Sequence, residues 1–219
     1  MMFAAGFGTR MGALTADRPK PLVEVAGRPL IDHALDLAEA VVPGPIVVNL
    51  HYRAEMLEAH LAGHRVVTVR EEPEILETGG GLRHALPLLG PGPVWTMNSD
   101  AIWAGPNPVE FVRNHWDGSA DALLLGVPPE RAVGHAGKGD FQVKQGLVSR
   151  GPGLIYSGVQ ILRTEGLAEI GETAFSLNIL WDRMLAAGRL RIVEYPGYWC
   201  DVGRPEGITL AEEMLARHV

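Results

Sequence analysis

The sequence has few of the residues that stabilise secreted proteins or bind nucleic acids. Its single cysteine, Cys200, rules out a disulfide bond within the chain and is typical of a reducing compartment. Only three of the 219 residues are lysines, the formal net charge is −7, and no basic run occurs. Binding to a nucleic-acid backbone depends on clustered Lys and Arg side chains, so we expect no nucleic-acid partner.

The sequence also lacks an apolar stretch long enough to cross a membrane and a signal-peptide pattern at its start. We therefore expect a cytoplasmic protein with no membrane partner. The length of the chain favours a monomer or a small homo-oligomer. With 219 residues, of which 47% are hydrophobic, the chain is long enough to bury a substantial core. This composition predicts a single α/β domain over residues 1–219.

The most informative segment is a glycine-rich loop that follows a short apolar run. It contains Gly6, Gly8 and Gly12, with Arg10 inside the loop and Lys20 beyond it between two prolines. Glycine lets backbone N–H groups approach an anion closely, and the two cationic side chains neutralise further negative charge. The third glycine of the dinucleotide fingerprint and the Gly-Lys-Ser/Thr of a Walker loop are both absent. The segment predicts a phosphate-binding loop of another kind; the alternative is a surface turn with incidental basic residues.

Apolar periodicity predicts strands and helices in alternation. The predicted helices span 29–42, 54–61, 78–89, 177–187 and 205–217, and the predicted strands span 46–50, 65–70, 94–98, 120–127, 140–148, 154–162 and 190–195. Residues 128–139, rich in Pro, Gly and His, are predicted to form a loop. The pattern favours a Rossmann-like α/β domain with a mostly parallel mixed sheet flanked by helices. Ligands of such sheets bind at the carboxyl ends of the strands.

Two aspartates stand in short motifs that are far apart in the sequence. Asp100 ends the motif NSD after a predicted strand, and Asp201 lies within WCDVG. Magnesium prefers one or two carboxylates together with substrate phosphates and water, and two such distant side chains meet only across a folded sheet. The alternatives are a helix N-cap for Asp100 and a turn position for Asp201.

Taken together, GFGTRM, the following KPL and the two aspartate motifs resemble the signature of the sugar-1-phosphate nucleotidyltransferases. Members of this family join a nucleoside triphosphate to a sugar 1-phosphate and release pyrophosphate. The resemblance spans nearly the whole chain and implies a nucleotide-binding part over residues 1–118 and a sugar-binding part over 119–219. It departs from the family at Ser99, where glycine is usual. The Cβ of Ser99 either crowds the ribose or the metal, or is accommodated by a small shift.

The resemblance also implies a role for individual residues. Those implied for catalysis are Arg10, Lys20 and Asp100, and those implied as ligands of Mg²⁺ are Asp100 and Asp201. Those implied for nucleotide binding are Ala4, Ala5, Gly6, Phe7, Gly8, Thr9, Arg10, Met11, Lys20, Glu77, Thr78, Gly79, Gly80 and Asn98. Those implied for sugar binding are Trp103, Gly139, Asp140, Ser157 and Gly158, for which a buried or turn position is the equal alternative.

The implied reaction needs no nucleophile from the protein. A sugar phosphate has a second pKa of about 6, so at neutral pH its dianion attacks the α-phosphorus directly. Mg²⁺, Arg10 and Lys20 would stabilise the transition state, and we assign no general base. Cys200 and the eight histidines are interpreted as packing or surface residues. Because no lysine follows Lys144, the sugar phosphate is expected to be held by Lys138, by an arginine or chiefly by the metal.

The choice of substrates depends on shorter motifs. The segments ETGGG at 77–81 and GHAGKGDF at 134–141 resemble most the N-acetylmuramate-1-phosphate uridylyltransferases of bacterial cell-wall recycling. This implies UTP and N-acetylmuramate 1-phosphate as substrates. Two alternatives stay open: a mannose-1-phosphate guanylyltransferase that uses GTP, and a regulatory paralogue that binds a nucleotide sugar without turnover.

Overall fold

Short apolar runs form most strands of the central sheet in this structure, a computed structural model that describes residues 1–218. The strands are β1 (Met2–Phe3), β2 (Glu24–Val25), β3 (Arg28–Pro29), β4 (Ile46–Leu50), β5 (Val66–Arg70), β6 (Val94–Asn98), β7 (Ala101–Ala104), β8 (Ala122–Val127), β9 (Ala132–Val133), β10 (Phe141–Lys144), β11 (Leu147–Arg150), β12 (Ile155–Leu162), β13 (Leu190–Glu194) and β14 (Tyr198–Asp201). The α-helices are α1 (Leu30–Glu39), α2 (Ala54–Leu61), α3 (Glu77–Leu89), α4 (Pro108–His115), α5 (Asn178–Ala186) and α6 (Glu206–His218). Short 3-10 segments cover Thr9–Thr15, Lys20–Leu22, Pro129–Arg131 and Glu165–Glu169.

Seven strands form the central sheet, in the order β13-β8-β12-β6-β1-β4-β5. Strands β5, β4, β1 and β6 are parallel, and β13 is parallel to β8. Only β12 is antiparallel to its neighbours, β6 and β8. Strands β4 and β8 are buried along their whole length, as expected for a sheet that is covered on both faces. The predicted mostly parallel mixed sheet flanked by helices is confirmed.

Each face of the sheet has its own hydrophobic core because successive side chains of a strand point to opposite faces. Val48 of β4 packs in the core beneath α1, α2 and α4, whereas the adjacent Val47 packs in the core beneath α3 and α5. A third cluster joins α6 to a smaller sheet. The helices therefore fix the central sheet from both sides and leave the ends of its strands for other contacts.

The smaller sheet has three strands in the order β7-β14-β9 and was not predicted. Its strands have only two to four residues each, too few for periodicity to identify them. In the antiparallel β7–β14 pair, Asp201 lies opposite Ala101. This pairing brings a late segment of the chain next to the end of β6.

The single strand predicted over 140–148 is wrong. The structure has a hairpin here, in which β10 pairs antiparallel with β11. Gln145 and Gly146 between them both have positive φ, which is typical of a two-residue hairpin turn. Helix α4 and the short β9 were also missed, the latter within the predicted loop 128–139. Of the other predicted elements, β4, α2 and β6 have the predicted bounds, and the rest are present with shifted ends.

None of the helices within residues 1–218 has the length and apolar character needed to cross a lipid bilayer.

A buried polar group joins the central sheet to α5. Gln160 of β12 is fully buried; its Nε2 donates to Thr96 Oγ1 at 3.0 Å, and its Oε1 accepts from Trp181 Nε1 at 2.9 Å. A buried donor or acceptor that loses its partner costs about 1–3 kcal/mol. The amide of Gln160 satisfies two such groups at once.

We expect Gln160→Leu to lower the free energy of unfolding by about 2–4 kcal/mol, because both partners lose their hydrogen bond in the core. Urea denaturation followed by circular dichroism measures this loss. The matched control is Gln142→Leu in the exposed hairpin, which should change stability by no more than about 0.5 kcal/mol. Equal losses in the two variants would contradict the assignment.

Candidate active site

Polar side chains are concentrated where the parallel strands β1, β4, β5 and β6 end. Asn49 lies near the end of β4, Glu71 follows β5, and Asn98 ends β6. They line a cavity of about 210 Å³ together with Phe3, Ala4, Ala5, Gly6, Ile75, Glu77, Thr78 and Asp100. A larger cavity of about 360 Å³ lies at the opposite ends of these strands, but no charged side chain lines it. The polar cavity at the carboxyl ends is therefore the candidate site.

The glycine-rich loop lies at the edge of this cavity in a conformation that requires glycine. Gly8 has φ +66°, and a Cβ there would lie 2.9 Å from Lys20 Cβ. The Thr15 hydroxyl donates to the carbonyl oxygens of Gly8 and Gly12 at 3.0 and 3.3 Å. The loop thus folds back on itself and packs against the aliphatic part of Lys20.

Five successive backbone N–H groups, those of residues 6–10, donate to no acceptor within the described chain. The exposed side chain of Arg10 follows them, and within residues 1–218 it forms no ion pair with a carboxylate. A run of unpaired amides beside a cation is a binding site for an anion. The glycine-rich loop therefore presents both unpaired backbone amides and the guanidinium of Arg10 beside the cavity.

Lys20 is almost completely buried, with 8% of its surface exposed, and its ammonium forms an ion pair with Asp100. The distance from Lys20 Nζ to Asp100 Oδ2 is 2.7 Å. Burying an ammonium is costly unless it has a charged partner, and Asp100 provides one. This pair links the glycine-rich loop to the end of β6.

Asp201 approaches the same pair from the small sheet. The Val202 N–H donates to the Asp100 carbonyl at 2.9 Å, next to the pairing of Asp201 with Ala101. Burial raises the pKa of the Asp201 carboxyl, the nearby Asp100 carboxylate raises this pKa further, and Lys20 and Arg10 act in the opposite direction. The two aspartates and the two cations predicted from distant motifs therefore lie in one electrostatic cluster.

Ser99, the departure from the family pattern, does not crowd the cavity. Its side chain is buried, and its hydroxyl donates to the Phe3 carbonyl at 2.7 Å. Ser99 is not among the residues that line the cavity. The hydroxyl also ties the end of β6 to the end of β1.

A buried network that the sequence analysis missed holds the beginning of the loop. The Ala4 N–H donates to Asn49 Oδ1 at 2.8 Å, and Asn49 Nδ2 donates to Glu71 Oε1 at 2.6 Å. The second oxygen of Glu71 accepts from the Leu76 N–H at 2.7 Å, and Glu71 is fully buried. A polar residue at or near the end of each of two neighbouring strands was the available signal.

Only the first two residues of the segment 77–81 line the cavity, although the next two were also predicted to bind the nucleotide. Glu77 and Thr78 line it, whereas the N–H groups of Gly79 and Gly80 both donate to the Phe175 carbonyl, at 2.8 and 3.1 Å. A Cβ on Gly79 would lie 2.3 Å from the Phe175 ring. The amides of these two glycines are used within the protein, so they do not face a base as expected.

The predicted nucleotide-binding residues mostly lie around the cavity or on the loop. Ala4, Ala5, Gly6, Glu77, Thr78 and Asn98 line the cavity, and Phe7, Gly8, Thr9 and Arg10 form the loop. Phe7 packs edge-on against the His51 ring at 5.3 Å between centroids. The side chain of Met11 is instead buried in the cluster beneath α6.

A second cavity of about 270 Å³ adjoins the first and shares Phe3, Thr78 and Asn98 with it. Its other lining residues are Asp140, Phe141, Arg150, Tyr156, Ser176, Leu177, Asn178 and Trp181. Of the predicted sugar-binding residues, only Asp140 is among them, and its Oδ2 accepts from the Tyr156 N–H at 2.8 Å.

The other predicted sugar-binding residues lie outside this lining. Trp103 is buried in the core, edge-on to Tyr195 at 5.1 Å, and Ser157 is buried and donates to the Leu125 carbonyl at 2.8 Å. Gly139 packs against the backbone of Gly153. A Cβ on Gly158 would lie 2.8 Å from Asn98 Cγ, so this glycine leaves space for Asn98. None of these four residues lines either cavity.

The cation in the second cavity is Arg150, which the sequence analysis did not single out. Its guanidinium lies 4.7 Å from the Phe141 ring centroid and donates to Asp182 and Asn178 at 2.8 and 2.7 Å. Lys138, the candidate named from the sequence, does not line this cavity. Cys200 is fully buried, and burial raises the pKa of its thiol to about 11, which confirms its interpretation as a packing residue.

Comparison with known proteins agrees with this architecture. The family model described as the MobA-like NTP transferase domain matches residues 1–162. The chain is 43% identical to the N-acetylmuramate alpha-1-phosphate uridylyltransferase of Caulobacter vibrioides, across 99% of this chain and 96% of that protein. It is 30% identical to the mannose-1-phosphate guanyltransferase of Hypocrea jecorina, across 94% of this chain but 61% of that protein.

The crystal structure of HddC from Yersinia pseudotuberculosis complexed with GMP-PN has the same fold, with a TM-score of 0.78 and 23% identity. The match covers 98% of this chain and 97% of that one.

Glu71 provides a test of the network that holds the loop. We expect Glu71→Gln to lower the free energy of unfolding by about 1–3 kcal/mol, because the amide turns an N–H₂ towards either Asn49 Nδ2 or the Leu76 N–H. Thermal and urea unfolding measure the loss. The neighbouring Glu72→Gln is the matched control, since its side chain is 71% exposed. Equal stability of the two variants would refute the role given to Glu71.

Proposed function

The chain belongs to the MobA-like NTP transferase family, and we propose that it joins UTP to N-acetylmuramate 1-phosphate with release of pyrophosphate. The observation that carries this proposal is the run of unpaired amides at residues 6–10 beside the Lys20–Asp100–Asp201 cluster. The choice of substrates is supported by the 43% identity to the Caulobacter vibrioides uridylyltransferase over nearly the full length of both proteins.

The glycine-rich loop is the proposed site of the triphosphate. Its amides supply hydrogen-bond donors, Arg10 supplies a solvent-accessible charge, and Lys20 supplies a second charge from within the protein. Backbone N–H groups and cations at fixed positions stabilise negative charge more effectively than water does, because they need no reorganisation. An entering phosphate would compete with Asp100 for the ammonium of Lys20.

The two aspartates are the proposed ligands of a divalent cation. Carboxylate oxygens are the ligands that Mg²⁺ prefers, and the mutual effect of Asp100 and Asp201 is the repulsion that a cation would relieve. The ion pair with Lys20 uses Oδ2 of Asp100. A bound Mg²⁺ would supply charge stabilisation of the reacting phosphates.

The chain itself contributes positioning and charge. The dianion of the sugar phosphate is the nucleophile, so no side chain needs to accept a proton at neutral pH. Lys20 and Arg10 reduce the repulsion between the two anionic substrates and stabilise the charge on the triphosphate. The proposed active site therefore contains no general base.

The two adjoining cavities support a division between nucleotide and sugar. All residues that line the first cavity precede residue 118, whereas most of those that line the second follow residue 119. N-acetylmuramate carries a carboxylate that most sugars lack, and Arg150 is a cation in the second cavity that matches it. Asn98 and Thr78, which line both cavities, are placed to contact both substrates.

We expect the full chain to release pyrophosphate fastest with UTP and N-acetylmuramate 1-phosphate. The measurement is a matrix of UTP and GTP against three sugars, namely N-acetylmuramate, N-acetylglucosamine and mannose 1-phosphate, at saturating MgCl₂. N-acetylglucosamine 1-phosphate is the matched control because it lacks only the lactyl ether group that carries the carboxylate, and its kcat/KM should be at least about 10-fold lower. Preference for GTP with mannose 1-phosphate would favour the guanylyltransferase alternative. UTP binding without turnover of any pair would favour a regulatory paralogue.

We expect Asp100→Asn and Asp201→Asn each to lower kcat by at least about 100-fold, because each removes a charge that the cation requires. Pyrophosphate release measured across a range of MgCl₂ concentrations should also show a higher half-maximal concentration for each variant. Asp36→Asn, on the exposed side of α1, is the control and should retain full turnover. Near-normal turnover by either site variant, or activity that persists in EDTA, would contradict the proposed metal site.

A further inference from the structure

Three metal-binding side chains meet between α1 and α2, outside both cavities. Asp32 lies in the first turn of α1, His60 in the last turn of α2, and His64 just beyond α2. His60 Nε2 lies 2.6 Å from Asp32 Oδ1, and His64 Nε2 lies 4.0 Å from the same oxygen. The ligand atoms of all three residues lie within 4.8 Å of one another.

The chemistry of this cluster differs from that of the proposed active site. Two imidazoles and a carboxylate are typical ligands of Zn²⁺ and similar transition metals, whereas Mg²⁺ prefers oxygen alone. The side chains of Asp32, His60 and His64 are 18%, 28% and 31% exposed, so an ion has access from solvent and a fourth position remains for water.

The geometry is close to that of a bound ion. Zn²⁺ binds nitrogen and oxygen at about 2.0–2.1 Å in a tetrahedral arrangement, which places ligand atoms roughly 3.3 Å apart. To reach this spacing, His64 Nε2 would move about 0.7 Å towards Asp32 Oδ1 from its present 4.0 Å, and the 2.6 Å contact between His60 and Asp32 would lengthen by about the same amount. The two imidazole rings already lie side by side, 5.8 Å apart and 28° from parallel.

We propose that Asp32, His60 and His64 form a binding site for a zinc-type divalent cation that links α1 to α2. The link affects the glycine-rich loop through the residues that precede α2. The Tyr52 hydroxyl donates to the Thr15 carbonyl at 2.9 Å, and the Arg53 guanidinium donates to the Ala16 carbonyl at 2.6 Å. An ion at the far end of α2 thus stabilises the helix that holds the end of this loop.

The test is thermal unfolding of the full chain after treatment with EDTA and dialysis, with and without ZnCl₂. At a Zn²⁺ concentration about 100-fold above the dissociation constant, we expect the Tm to rise by about 5 °C, with one ion bound per chain by calorimetry. An equal concentration of MgCl₂ should leave unchanged the Tm of the Asp100→Asn variant, in which the proposed catalytic cation site is disabled.

The informative variant is His64→Gln, which removes one ligand and keeps the 2.6 Å pair of His60 with Asp32. We expect its Tm without metal to match that of the natural chain and its Zn²⁺-dependent rise to be lost. His84→Gln, at an exposed position on α3, controls for weak binding to histidines and should keep the full rise. Asp100→Asn should also keep it, which separates this site from the proposed catalytic cation. No rise in the natural chain, or an equal rise in His64→Gln, would overturn the proposal.

Discussion

The ion pair between Lys20 and Asp100 is the interaction on which the candidate active site depends. It places a buried ammonium beside a carboxylate at the end of β6, and the two charges offset the cost of their burial. The contact is possible because Gly8 leaves room for the aliphatic part of Lys20. Lys20, which follows the glycine-rich loop in the family motif, therefore packs beneath this loop and holds it in place.

The second constraint is the small sheet that brings Asp201 to this pair. Strand β14 lies between β7 and β9, and its ladder with β7 continues directly from the segment that contains Asp100. A one-residue slip in this ladder would turn the Asp201 side chain to the other face of the sheet. The register of two four-residue strands thus decides whether the two carboxylates meet, and α6 fixes it through the cluster that contains Val202 and Met214.

Much of the fold could be predicted from the sequence because the central strands are continuous apolar runs with few alternatives. Strands β4 and β6 have the predicted bounds, and the glycine-rich loop predicted from its motif lies at the carboxyl ends of the parallel strands. The small sheet could not be predicted, since its strands are too short for periodicity and its pairs are distant in sequence. Trp103 and Ser157 were assigned to the sugar although both are buried, because a motif position does not reveal which way a side chain points. Arg150 was missed because its partners, Asp182 and Asn178, lie on a helix from a later part of the chain.

The low lysine content and the net charge of −7 acquire a physical meaning in this architecture. A triphosphate and a sugar phosphate are both repelled by an acidic protein, so positive potential has to be concentrated where they bind. At this edge it comes from the amides of residues 6–10, from Arg10 and Lys20, and in the second cavity from Arg150. Three of these four contributions add little net positive charge. Lys20 is paired with Asp100, Arg150 is paired with Asp182, and the backbone amides carry no net charge. The proposed divalent cation would add the positive charge that two anionic substrates and the carboxylates of Asp100 and Asp201 require beyond Arg10, Lys20 and Arg150.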